Sequence, residues 1–426
     1  MTNPPQAVAD PTDTTDSQPA RKQPMPPEQK RLFGLILPIT MAIYLVVGAL
    51  PAILLPIQVQ QLDEANKAAN LALVLGIGAV AAMIMGPVAG QLSDRTRSRF
   101  GRRTPWLVGG SLGVGLALLG MAAAHGLVQI IIAWVIVQIM FNLVVGPLQA
   151  IMPDRVPSGV RGLFATLLGL GAMLGAIGGQ VVGAALAADV DRAYLILPGI
   201  LIIAVGLFVV LCPDKPSKDR VNEPFDLRAF LGTFWVSPTK HPDFAWNFAG
   251  RLLLFTGYFA VTGYQLYILQ DYIGMHDGAV GAVPLLGGIS LLGMIVTMSF
   301  SGVLSDKLGR RKVFVIAASL IMGVAMIIPI VAPNLPGMMV FSFICGMGFG
   351  SYMAVDGALM TEVLPSEGSY AKDLGVLNIA STLPQTVGPF LSGAIVLIGG
   401  YSALFPVGAV LALLGALAII PIKSVR

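Results

Sequence analysis

Apolar and polar residues do not alternate along this chain; the apolar ones come in long blocks. Twelve blocks can be traced, at about 32–58, 69–93, 105–124, 127–152, 162–188, 193–211, 247–271, 279–304, 313–332, 336–361, 374–398 and 400–422. An α-helix rises 1.5 Å per residue, so about 20 apolar residues cross a hydrocarbon layer ~30 Å thick. Each block is therefore read as a membrane-spanning helix, and they are called helices 1–12 in chain order. Gly and Pro interrupt several of them, which membrane helices tolerate when neighbours satisfy the freed backbone.

Residues 1–30 are polar, hold seven prolines and show no basic start followed by an apolar stretch. They read as a disordered cytoplasmic tail rather than a signal or transit peptide. A second polar stretch, from Pro213 to Asp243, carries Lys215, Lys218, Arg220, Arg228 and Lys240. The expected organisation is a tail (1–30), a six-helix bundle (31–212), a cytoplasmic linker (213–245), a second six-helix bundle (246–422) and a short cytoplasmic C-terminus (423–426). The fold class is an all-α membrane protein with twelve transmembrane helices.

Composition closes off other classes. The chain is 55% hydrophobic and 11% charged, with mean hydropathy +0.81, against a usual charged share of about 25% in soluble proteins. A soluble fold of this length has no core large enough for so much apolar surface. That excludes a soluble enzyme, a nucleic-acid module and a disordered scaffold. Cys212 and Cys345 are too far apart in sequence to suggest a disulfide framework or a metal site. His125, His241 and His276 fall in separate loops. No metal spacing, nucleophile elbow or phosphate-cradling loop is present, so no enzyme, cofactor, metal or nucleotide-driven pump is expected.

Charge then orients the helices. With the tail in the cytoplasm, all but Lys67 and Arg192 of the 26 Lys and Arg residues lie on the cytoplasmic side. That bias places both termini in the cytoplasm of a multi-pass protein of the cell membrane.

The chain also repeats itself. Gly90-Gln91-Leu92-Ser93-Asp94 closes helix 2 and Gly101-Arg102-Arg103 opens helix 3. Gly302-Val303-Leu304-Ser305-Asp306 closes helix 8 and Gly309-Arg310-Arg311 opens helix 9. Helix 4 ends in Asp154-Arg155-Val156-Pro157 and helix 10 in Glu362-Val363-Leu364-Pro365. Two pseudo-symmetric halves account for this, and transporters so built hold substrate between the halves near the bilayer midplane.

From about residue 30 to 422 the chain resembles the major facilitator superfamily, on the strength of the doubled Gly-x-Leu-Ser-Asp and Gly-Arg-Arg loop. Asp94 to Trp106, Thr361 to Pro365, Lys372 to Ala380 and Leu383-Pro384-Gln385 are similar to the glycoside–pentoside–hexuronide cation symporters and the sucrose-type symporters within it. One departure is the first-half loop, which has six residues between Asp94 and Gly101 where the common pattern has two. The resemblance implies a monomer and alternating access. It also implies a latch at these loops that joins the bundles when the cavity faces outward. Asp94, Arg102, Arg103, Asp306, Arg310, Arg311, Asp154 and Glu362 are its candidates.

Asp356 is the only acidic or basic side chain clearly inside a predicted span. It lies six residues before Glu362, roughly 9 Å deeper. A charge at such depth costs about 2.5–3.5 kcal/mol on insertion scales and normally faces a cavity or a partner. Aligning the halves puts Leu148 opposite it, so the charge belongs to one half only. Three roles stand open: a proton-coupling or gating carboxylate, a structural partner of Arg251 at the start of helix 7, or a substrate contact. Family geometry lines the cavity with helices 1, 4, 7 and 10. Tyr44, Asn142, Gln149, Tyr258, Gln265 and Tyr352 are the substrate candidates. Gln58, Gln138, Thr262, Tyr264, Tyr267, Gln270, Ser351, Asn378 and Gln385 are further polar residues of these helices and helix 11. Amides, hydroxyls and aromatic faces suit a neutral polyol ring, though interhelical bonds and interfacial belts use the same residue types. Helices 2 and 4 lack the acids of sodium-coupled sugar symporters. The expectation is therefore proton-coupled uptake of a sugar, glycoside or similar polar organic solute. Export of drug-like or metabolite substrates is the alternative.

Overall fold

A computed structural model describes residues 26–218, 239–276, 278–363 and 370–422, without the side chains at 357, 358, 360–378, 380 and 381. Within these residues the regular structure is helical, and the spans fall where the apolar blocks place them. They are α1 Pro27–Leu62, α2 Lys67–Arg95, α3 Thr104–Ala122, α4 Leu127–Arg155, α5 Ser158–Ala185 and α6 Val190–Leu211. The second set is α7 Pro242–Thr262 with its continuation Gln265–Tyr272, α8 Ala279–Leu308, α9 Arg311–Val331, α10 Leu335–Val363, α11 Tyr370–Gly399 and α12 Tyr401–Ile419.

Several boundaries differ from the sequence reading. Helix α1 starts at Pro27, so four residues assigned to the tail are helical; proline suits a first helical position because its missing N–H would be unpaired there anyway. Helix α7 is not one straight run. It bends by 50° at Gly263–Tyr264, inside an apolar stretch that carries no obvious break. The α7 helix also begins five residues earlier than expected, at Pro242. Arg251 therefore sits well inside the span rather than at its start.

The helices pair in the same way in both halves. α1 packs on α5 and α6, α4 on α2 and α3, and α3 on α6; α7 packs on α11 and α12, α10 on α8 and α9, and α9 on α12. Two seams join the halves, α2 with α11 and α5 with α8, and a pseudo-two-fold relates one seam to the other. The seams and the bundle cores depend on small residues. On α5, Gly171, Gly175, Gly179 and Gly183 recur every fourth position and face α1. A Cβ at Gly179 would lie 2.1 Å from the Leu45 carbonyl oxygen, and one at Gly175 would lie 2.5 Å from that of Met41. Only glycine permits such backbone-to-backbone approach, and in lipid this packing replaces the hydrophobic drive of soluble cores. In the second half, α8 and α10 repeat the device. A Cβ at Gly293 would lie 2.3 Å from the Phe343 carbonyl oxygen, and one at Gly346 would lie 2.2 Å from that of Ser290.

Both first helices contain a π-helical turn at matching places, Leu50–Leu54 in α1 and Ile268–Tyr272 in α7. Single π turns inside helices often mark functional positions. The π turn of α1, with Pro51 in it, forms part of the central cavity.

Candidate functional site

The arginine-rich loops gather at one end of the bundles, called here the basic end; Lys67 and Asp271 lie at the far end. Between the halves is a cavity of about 470 Å³. Its lining includes Val47, Leu50, Trp134, Gln138, Phe141 and Gln180 from the first half. The second half contributes Tyr258, Thr262, Gln265, Ser290, Phe341, Ser342 and Gln385. Among the described residues, no Asp, Glu, Lys, Arg or His lines it. Four amides and several hydroxyls supply its polarity, and five aromatic rings its flat faces.

The sequence candidates divide on this geometry. Tyr258 and Gln265 line the cavity, while Tyr44, Asn142, Gln149 and Tyr352 do not. Tyr44 faces Gln149 and meets Phe141 edge to face. Gln149 lies eight residues beyond Phe141, about 12 Å nearer the basic end. Asn142 spends its amide on the Gln138 carbonyl, 2.8 Å away in its own helix. Sequence identifies the helix but not the face or the depth: Asn142 and Tyr44 lie within a few residues of cavity-lining Phe141 and Val47 without lining the cavity themselves, and Gln149 sits too near the basic end. Thr262, Gln138 and Gln385 do reach the cavity. Gln58 instead bridges helices, accepting from the Tyr194 hydroxyl at 2.6 Å and donating to the Met121 carbonyl at 2.7 Å. Asn378 and Glu362 lie outside the described side chains.

Helices α2, α5, α8 and α11 also contribute lining residues, beyond the four helices expected. Gln180 of α5 is the clearest omission. Its carbonyl oxygen is buried without a hydrogen-bond partner and lies against Gly287 of α8, where a Cβ would be 2.3 Å away. The glycine pattern of α5 drew attention to packing and away from its one amide.

Asp356 is buried, 1% exposed, and paired with Arg251 at 2.5 Å. Both charges are inside the membrane-spanning region, and each is the counter-ion that makes the other tolerable there. The Tyr352 hydroxyl lies beside the same carboxylate without closing a hydrogen bond to it. The pair does not line the cavity, but aromatic rings connect the two. Arg251 lies over the Phe255 ring at 5.3 Å, Phe255 meets Phe349 at 5.3 Å, and Phe349 stacks on Tyr258 at 4.6 Å.

At the far end, polar contacts join the halves. Lys67 Nζ at the start of α2 meets the Asp271 carboxylate of α7 at 2.9 Å and lies 5.0 Å from the centre of the Tyr267 ring. The Tyr264 hydroxyl donates to the Ala68 carbonyl and that of Tyr267 to the Pro56 carbonyl, each at 2.7 Å. Tyr264 and Tyr267 thus close the far end instead of lining the cavity. Lys67, treated in the sequence as a mere exception to the charge rule, is 7% exposed and structural. Tyr272 donates to the Pro329 carbonyl at 3.0 Å within its own half.

At the basic end, Asp94 pairs with Arg103 at 2.6 Å and Arg102 at 3.6 Å, and Asp154 pairs with Arg103 at 2.9 Å and also with Arg102. Arg103 further donates to Ser93 Oγ at 2.7 Å. All four residues find their ion-pair partners within the first half. In the second half Arg311 reaches Asp306 at 3.0 Å, and Arg310 is exposed. Among the described residues, then, the first-half latch candidates form no ion pair across the halves. The long first-half loop has a separate use. Ser217 Oγ donates to the Thr96 carbonyl at 2.9 Å, Ser217 N–H to the Ser98 carbonyl at 3.0 Å, and Arg103 N–H to the Asp214 carboxylate at 3.1 Å. The extra residues hold the beginning of the linker.

Two pseudo-symmetric bundles of membrane-spanning helices around a polar, uncharged cavity, closed at one end, define a membrane transport protein. The chain belongs to the Major Facilitator Superfamily, whose sequence pattern matches residues 32–289 and 266–425. It is 25% identical to the sucrose transport protein SUC4 of Arabidopsis thaliana over 387 residues, 73% of this chain and 74% of that one. It is also 25% identical to the MFS transporter asaE of Aspergillus flavus over 166 residues, 39% of this chain. That match spans only 35% of the length of asaE. The nucleoside transporter NupG superposes with a TM-score of 0.73 at 16% identity, over 93% of this chain and all of that one, which is a likeness of fold.

Proposed function

We propose that this protein is a secondary active transporter of the cell membrane, working as a monomer by alternating access and importing a neutral polar organic solute with protons. It is assigned to the branch of the glycoside–pentoside–hexuronide and sucrose-type symporters. Both termini lie in the cytoplasm, which makes the basic end the inner side. The carrying observation is the cavity between the halves, polar through amides and hydroxyls and free of charged lining residues. An uncharged site suits a sugar, glycoside or similar solute. A carboxylate substrate or a cationic drug would arrive there without a counter-ion, at a high desolvation cost.

The closed far end fits a carrier facing the cytoplasm. In that state a basic-end latch between bundles is released, in keeping with ion pairs that stay inside the first half. The coupling proton is assigned to Asp356. Movement of Tyr258 on solute binding passes through Phe349 and Phe255 to Arg251 and alters the hold on the carboxylate. The test is purified protein in liposomes with an internal pH dye and a panel of sugars, glycosides and lipophilic amines. Proton entry with a neutral solute, abolished in Asp356→Asn, supports the reading; solute movement with no pH change removes proton coupling.

A further inference from the structure

Three tyrosines of the second half form a triangle at the far end. The rings of Tyr264 and Tyr267 of α7 lie 6.2 Å apart, and that of Tyr401, at the start of α12, lies 6.5 Å from the first and 6.3 Å from the second. The Asp271 carboxylate, four residues beyond Tyr267, faces both Tyr267 and Tyr401. Ring faces grouped beside a carboxylate are a setting that attracts an ammonium ion. Lys67 of the first half fills this one. Its Nζ is 2.9 and 3.0 Å from the two Asp271 oxygens and 5.0 Å from the centre of the Tyr267 ring. Cage and guest therefore belong to different halves. The ring contacts of the cage are all internal to the second half, so the cage outlasts a separation of the bundles that carries Lys67 away. The other basic residue of the far end, Arg192, pairs with Asp189 at 2.8 Å inside the first half and does not replace it.

We infer that Tyr264, Tyr267, Tyr401 and Asp271 form a binding site for a free alkylammonium ion once Lys67 has left it, and that such an ion holds the far end open by taking the lysine's place. None of the four lines the central cavity, so the site is separate from the one assigned to the solute. It needs the far end to open, as alternating access has it, but no particular solute and no proton. A primary amine with a short apolar stem fits the cage. Its stem lies along the ring faces as the lysine methylenes do, and its head pairs with Asp271. A sodium ion brings the charge without the stem. In the closed form the place is taken, so the ion binds the open form alone and raises the open-to-closed ratio by a factor of one plus its concentration over its dissociation constant.

The experiment uses the full chain with Cys212 and Cys345 changed to Ser and spin labels at Gln61→Cys and His276→Cys, exposed far-end positions on opposite halves. The distance between the labels reports opening whichever way the protein faces. The probe is n-propylammonium, the fragment that Lys67→Ala removes; 1-propanol and sodium are the controls. In the parent, propylammonium at twice its dissociation constant raises the open-to-closed ratio about threefold. In Lys67→Ala the closed form encloses the ion on both sides and the open form on one, so the same ion lowers the ratio and raises the melting temperature. The opposite signs are the signature of the cage. Tyr401→Leu takes away one wall and loses the parent's response, which keeps the test intact if Lys67→Ala does not fold. A response that sodium reproduces, one with the same sign in both chains, or none in either overturns the inference. Labels that never separate in any chain, with Lys67→Ala still stabilised against heat by propylammonium, keep the cage as a cation site but remove its hold on the far end and the alternating-access reading with it.

Discussion

Lys67 of the first half and Asp271 of the second are joined at 2.9 Å, an ion pair that spans the two bundles at the end opposite the arginine-rich loops. Lys67 is nearly buried and Asp271 is a third exposed, so the pair is worth more than an ordinary surface bridge and less than a fully buried one. Lys67→Met removes this tie and favours opening of the far end. A population shift of about tenfold, ~1.4 kcal/mol, is expected. It is read by the labelling rate of a Thr262→Cys cavity reporter with an impermeant maleimide. The charge exchange Lys67→Asp with Asp271→Lys brings the rate back. An unchanged rate in Lys67→Met means that the tyrosine contacts close the far end without the ion pair.

The Arg251–Asp356 pair separates stability from coupling. Arg251→Met alone leaves a buried carboxylate without its partner and destabilises the fold by about 3–5 kcal/mol, whereas Arg251→Met with Asp356→Leu recovers most of the loss. If Asp356 carries the coupling proton, the double variant folds and binds solute but moves no protons. A double variant that still acidifies the liposomes assigns coupling elsewhere.

Close helix contact gives a steric prediction. Gly179→Val places a branched side chain where even a Cβ would be 2.1 Å from the Leu45 carbonyl oxygen. The backbones of α1 and α5 must separate, and melting in detergent falls by several degrees or the protein does not accumulate. Gly178→Ala, one residue away and with nothing within 4 Å of the added atom, melts as the parent does or slightly higher.

The loop between α1 and α2 carries a pH-dependent turn. The Asn66 amide and backbone N–H donate to the Asp63 carboxylate at 2.9 and 3.1 Å and hold its carboxyl below the usual range. A depressed carboxyl stabilises the folded state above its unfolded value, near 3.9, and that contribution fades as pH falls through the folded value. Asp63→Ala therefore melts below the parent at pH 7, and the gap narrows as pH falls below the usual carboxylate range. A gap that persists in acid shows that the carboxylate charge is not what holds the turn.

The sequence was most informative where a residue type was out of place for its surroundings. A carboxylate deep in an apolar run had to find a partner, and Arg251 was the residue named for it. The repeated loops located the cluster of Asp94, Arg102, Arg103 and Asp154, because a repeat at that spacing reports architecture. Depth and direction were not legible. Tyr44, Asn142 and Gln149 lie on helices that border the cavity, yet a helix of nearly thirty residues passes well beyond one site, and its hydropathy is the same throughout. Gln180 was hidden in a glycine-rich helix, and the bend at Gly263 in a continuous apolar run. Lys67 looked like an exception to a charge rule because its partner, Asp271, is more than two hundred residues away.

The glycine row of α5 has a mechanical consequence. Through Gly171, Gly175, Gly179 and Gly183, α5 touches α1 backbone to backbone, and through Gln180 it also presses on Gly287 of α8 across the seam. Two helices meshed so closely cannot creep along one another; they tilt together as a single rigid plate. The π turn of α1 is one edge of that plate and the α5·α8 seam is another. Displacement of the turn therefore reaches α5 through backbone contacts and passes on to Gly287 of α8 through the Gln180 side chain.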